Sequence, residues 1–111
     1  MARKRIAIEK GSGNVFTDLG YADAKERTLK VQLAMEVNDL IRSQRLTQAE
    51  VARTLGILQP HVSDLIRYRL DRFSVERLMN FLAALGKDVE IRIRPRSARR
   101  SARAIRVLHA A

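Results

Sequence analysis

The sequence predicts a mainly α protein of four to five helices followed by one C-terminal β-strand that pairs across a dimer. Apolar residues recur at helical spacing between residues 23 and 86, and the period switches to strict alternation after Gly86. The composition agrees. The chain is 46% hydrophobic but has only three Phe, two Tyr and no Trp, so Leu, Ile, Val and Ala must fill its interior, a mix that favours packed helices. At 111 residues it has room for one small domain, which hides roughly 60 to 65% of its unfolded surface.

Residues 1–22 contain Gly11-Ser12-Gly13-Asn14 and little periodicity, and read as an irregular arm. A long amphipathic helix then starts behind Asp23, which with Glu26 has capping-box spacing. It buries Leu29, Leu33, Val37, Leu40 and Ile41 and ends near Gln44. Thr47 and Glu50 repeat the capping box, with Leu46 and Val51 at hydrophobic-staple spacing, so a short helix runs from Gln48 to Gly56. Pro60 sits in the first turn of a third helix that buries Val62, Leu65 and Ile66 and ends near Tyr68. Ser74 caps a fourth, with Phe73 stapled to Leu78 and with Val75, Leu78, Met79, Leu82 and Leu85 inward, until Gly86.

Beyond Gly86, Val89, Ile91 and Ile93 alternate with Glu90, Arg92 and Arg94, which reads as a dimerisation strand within residues 87–95, closed by Pro95. A lone strand leaves backbone groups unpaired on both edges and is a template for a second copy. Residues 5–9 alternate weakly and offer an intrachain partner instead. Residues 96–111 are rich in Arg, Ser and Ala and read as a basic low-complexity tail, either free or a helix that orders against phosphates.

The net charge of +10 is unevenly placed: residues 91–111 carry +7, residues 1–10 carry +3, and the remainder is neutral. Two basic tails flanking a neutral domain point to a polyanionic partner. An anionic membrane surface is disfavoured, because Ile105, Val107 and Leu108 make a poor amphipathic face and no apolar run approaches the roughly 20 residues of a membrane span. The chain has no Cys, so it has no disulfide, thiolate site or cysteine nucleophile, which fits a reducing cytoplasm. His61, Ser63 and Asp64 crowd one helical turn and cannot converge on a substrate as a catalytic triad must. With two histidines, no i, i+4 histidine pair and no phosphate-loop glycine pattern, the sequence calls for no metal, no cofactor and no enzymatic activity.

Two short helices joined by a tight turn occupy residues 48–67. Val51, Leu55, Ile57, Val62 and Leu65 supply a shared core, Ala52 is small where the helices cross, and Gly56 permits the left-handed turn. Such a unit places its second helix in the major groove of DNA. The pattern Thr47-Gln48-x-x-Val51-Ala52-x-x-Leu55-Gly56-Ile57-x-Gln59-x-x-Val62-Ser63 resembles the XRE, or lambda-repressor-like, helix-turn-helix family. Flanking segments, Val15-Phe16-x-Asp18-Leu19-Gly20 and Ser74-Val75-Glu76-Arg77-Leu78 through Asp88-Val89-Glu90-Ile91, resemble a subgroup of small HigA-like antitoxins and regulators.

The resemblance spans residues 13–95. It implies a cytoplasmic repressor, dimeric on a palindromic double-stranded operator, and an autoregulating antitoxin with a HigB- or RelE-like toxin as partner. A solitary repressor and a toxin-binding module with secondary DNA binding remain alternatives. It also implies that Gln48 grips a phosphate and supports Gln59, which reads a base edge, a chemistry glutamine performs on adenine. Leu58 departs from the family, which carries Ser or Thr there. By helical phase the outward face further presents His61, Ser63, Asp64 and Arg67, with Tyr68 and Arg69 just beyond. Thr47 completes the candidate set as the cap beneath Gln48.

Overall fold

Among the described residues the periodicity of the chain becomes four helices and one strand pair. A computed structural model describes residues 6–9, 18–95 and 104–109. In chain order these are β1 (Ile6–Glu9), α1 (Asp18–Ser43), α2 (Gln48–Leu55), α3 (Gln59–Ile66), α4 (Val75–Ala84) and β2 (Ala104–Val107). The glycine-rich segment around Gly11 and most of the arginine-rich tail lie outside the described residues.

Leu29, Leu33, Val37 and Ile41 recur every four residues along α1 and are buried together with Ala34. Leu40, at the edge of that stripe, is half-buried. Against them pack Val51 from α2, Val62 and Leu65 from α3, and Leu78, Phe81 and Leu82 from α4, in a single core. Each such side chain contributes about 1.5–3 kcal/mol of burial. Phe81, absent from the expected inward set of α4, meets Phe73 edge to face, with ring centroids 5.6 Å apart, whereas Val75 and Met79 are half-buried.

Two side chains, one in α1 and one just beyond its end, reach distant backbone. Asn38 is the one polar residue buried among those described, and its amide donates to the Leu65 carbonyl at 3.2 Å. That oxygen lies in the last turn of α3 and also accepts the Tyr68 backbone N–H at 3.2 Å. Gln44 donates to the Leu85 carbonyl at the end of α4, 2.8 Å away. A buried polar group must be satisfied, so Asn38 both needs and fixes the seat of α3.

The strands depart from expectation. β1 and β2 pair antiparallel, Ile6 opposite Val107 and Glu9 opposite Ala104, with an irregularity at Ile8. A strand therefore lies within residues 1–22, which were read as irregular, and another within the tail of residues 96–111, where Ile105 and Val107 pack against the core at strand spacing. α1 also begins at Asp18, before the expected cap at Asp23. Conversely, residues 88–94 form no strand within the chain. Val89 is half-buried against the core, but Ile91 is 48% and Ile93 92% exposed. The physical reason is that a strand exists only with a partner: Ile6–Glu9, the intrachain candidate, is taken by β2.

Candidate nucleic-acid interface

The site is built outward from the α2–turn–α3 unit. The start of α2 is held by a complete capping box: Thr47 Oγ1 accepts from the Glu50 backbone N–H at 3.1 Å, and the Glu50 carboxylate accepts from the Thr47 backbone N–H at 2.8 Å. The bond from the Thr47 backbone N–H foremost and the neighbouring Thr47 hydroxyl next, with Arg53 adding attraction, hold the Glu50 carboxyl below its ordinary range. Leu46 packs against the core beside the fully buried Val51, as a hydrophobic staple requires.

At its other end α2 stops on Gly56, whose φ of 68° is left-handed, with the Ile57 N–H returning to the Ala52 carbonyl at 3.0 Å. The space around Gly56 is open, so the demand for glycine is conformational rather than steric. Ile57 and Leu58 then lead directly into α3. Leu58 is the cap residue of α3, makes no side-chain cap bond and is 66% exposed. The missing hydroxyl anticipated from the sequence is thus a real gap. Pro60 offsets it in part by lacking an N–H in the first turn, where a donor has no helical acceptor.

α3 is short, about 12 Å at 1.5 Å per residue. Its inner face is Val62 and Leu65, both fully buried. The remaining candidate residues lie on the surface. Thr47, Gln48, Gln59, Arg67, Tyr68 and Arg69 are exposed, while His61, Ser63 and Asp64 are half-buried. Gln48 and Gln59 occupy the first positions of α2 and α3. Neither side chain is hydrogen-bonded among the described residues.

α3 is capped by Arg67, and the residue that follows, Tyr68, has a left-handed φ of 61°, rare for an aromatic residue. The Arg69 N–H closes this end onto the Asp64 carbonyl at 2.8 Å. The turn swings Tyr68, Arg67 and Arg69 out at the foot of the helix.

One residue that sequence reasoning passed over belongs to this face. Arg72, in the loop before α4, reaches back across α3: its Nε donates to the Asp64 carboxylate at 3.0 Å and its terminal nitrogen contacts His61 Nε2 at 2.9 Å. A guanidinium is only a donor, so Nε2 accepts, and the ring proton of His61 sits on Nδ1. Arg72 thereby neutralises the one carboxylate among the candidate residues and leaves Nδ1 as the imidazole's donor. No local pattern announces it, because the pairing spans the turn after α3.

A capped helix, a glycine turn and a second helix with a polar, cation-bearing outer face define a helix-turn-helix protein. The family model described as "Helix-turn-helix domain" matches residues 15–94. A solved structure described as an XRE-family transcriptional regulator is similar at 49% sequence identity and a TM-score of 0.73, over 80% of this chain and 98% of that one. No curated protein matches the sequence. The chain belongs to the XRE-type helix-turn-helix family.

Proposed function

We propose that the chain is a sequence-specific transcriptional repressor that binds a palindromic operator as a homodimer, inserting one α3 into the major groove of each half-site. The observation that carries this reading is the outer face of α3. It is polar, its first side chain, Gln59, is exposed and free of hydrogen bonds among the described residues, and the backbone beneath it is fixed by the capping box and Gly56. In this reading Gln59 reads a base edge and Gln48 holds a phosphate. His61, Ser63, Arg67, Tyr68 and Arg69 share the remaining backbone and base contacts, and Thr47 anchors the support helix. Asp64 acts through Arg72 rather than on a base. The arginines of the basic tail, residues 96–111, add sequence-independent affinity by releasing counterions from phosphates.

Residues 88–94, with Val89, Ile91 and Ile93, form the seam between the two copies. The protein acts in the cytoplasm, and among the described residues no helix is long and apolar enough to cross a membrane. Nuclease footprinting on the DNA upstream of its own gene tests the reading. It should show two protected half-sites about 34 Å apart, centre to centre. Uniform protection without a preferred site contradicts it.

Within this class, the resemblance to small HigA-like regulators supports an autoregulating antitoxin. Co-expression with the neighbouring reading frame decides between that role and a solitary repressor. A HigB- or RelE-like protein that co-purifies supports the pair, and operator binding with no second protein supports the solitary form.

A further inference from the structure

The segment that leaves the fold after α4 ends in two unpartnered isoleucines, and a groove of matching chemistry lies beside its root. The groove, about 500 Å³ in volume, runs between α1, residues 87–90 and the end of β2. Leu33, Leu40, Leu82 and Val89 contribute apolar side chains to it, and Glu36, Asp39, Asp88 and Glu90 line it with carboxylates against Lys87 and His109. Glu36 already holds His109 Nδ1 at 2.7 Å, and Asp39 pairs with Arg42. Asp88 and Glu90 have no partner among the described residues. On a chain of net charge +10, this is an acidic site.

The outgoing arm has the complementary pattern. Ile91 and Ile93 are exposed, the second at 92%, and Arg92 and Arg94 between and after them are exposed as well. In an extended chain, successive side chains point to opposite sides, so the two isoleucines enter a groove while the two arginines stay at its mouth. The four residues reach about 13 Å, and Pro95 closes the arm. Residues 87–90 are themselves a wall of the groove, while Ile91 and Ile93 of the same chain do not line it and stay exposed. A second copy can bring its arm in from outside.

We infer that the groove is the receptor for residues 91–94 of a second copy, with Ile91 and Ile93 over its leucines and Arg92 and Arg94 against Asp39, Asp88 and Glu90. The exchange is isologous: a two-fold axis fills both grooves and closes the assembly. It rests on the dimeric reading above and gives that dimer a specific seat.

The test is a charge exchange in the full chain, at exposed positions only. One variant carries Arg92→Glu and Arg94→Glu; the other carries Asp39→Lys and Asp88→Lys. In sedimentation the wild type should be a dimer. Each variant alone should have its dimer dissociation constant raised by about tenfold or more, because like charges meet in both seats. Mixed one to one, the two variants should recover the dimer, since both seats are then complementary. A monomeric wild type, variants that dimerise alone as wild type does, or a mixture that stays monomeric overturns the inference. So does a monomer whose groove is filled by a different basic protein. Binding of each monomeric variant to a single half-site, measured separately, tests the DNA reading and can fail independently.

Discussion

Replacing Arg72 with alanine separates the electrostatics of the α3 face from its stability. Asp64 and Arg72 are 3.0 Å apart, with side chains 24% and 46% exposed, so the pair contributes at most about 1 kcal/mol to folding. Its effect on binding is larger. Without Arg72, the Asp64 carboxylate stands uncompensated on the surface proposed to approach phosphates. At roughly 8 Å from one phosphate, Coulomb repulsion lies between about 0.5 kcal/mol in bulk water and about 2 kcal/mol near a protein surface, a two- to thirtyfold loss of affinity. Fluorescence anisotropy should register that loss on operator and random duplexes alike, since charge is not sequence. Arg72→Ala combined with Asp64→Asn should recover most of the affinity, because the net charge of the pair is again zero. The residual deficit reports the freed His61 ring. An Arg72→Ala protein that binds as wild type does, or a double variant as weak as the single one, refutes the reasoning.

Three further outcomes follow from the local geometry. Leu58→Ser should raise stability to urea by about 1 kcal/mol by supplying the cap α3 lacks; an unchanged midpoint would mean its first-turn donors are already satisfied. Gly56→Ala should lower stability by about 1 kcal/mol through the left-handed φ alone, since nothing crowds the position. Glu50 titrates below its ordinary value in the fold, so its bonds stabilise fully above the unfolded carboxylate range, near pH 4.5, and are lost as pH falls through the lower folded value. Glu50→Gln, which keeps the acceptor but cannot titrate, should flatten the loss of thermal stability on acidification. An equally steep loss would assign the acid sensitivity elsewhere.

The α2–α3 unit was legible because its determinants are local. Thr47, Glu50, Gly56, Ser74 and the staple residues act within a few positions of themselves, and each takes its expected role. The gap at Leu58 was legible for the same reason. What escaped depends on distant partners. Asn38, Gln44 and Arg72 look like ordinary surface residues of a helix or loop until the fold brings Leu65, Leu85 and Asp64 to them.

Strands suffer most from this. Residues 88–94 alternate clearly yet have no partner within the chain, whereas Ala104-Ile105-Arg106-Val107 is concealed by an Arg, Ser and Ala background and pairs with β1 nearly a hundred residues away. Alternation states which side chains share a face, not which edge receives them. The candidate surface was legible as an outward arc of α3, but the hold of Arg72 on Asp64 and His61 was not.

The most direct measurement compares wild type and Gln59→Ala on the footprinted operator and on random duplex of equal length at one salt concentration. A loss of about 1–3 kcal/mol on the operator with little change on random DNA is expected if Gln59 reads a base while the arginines of the tail hold the backbone. Equal losses on both duplexes, or none on either, would contradict that reading.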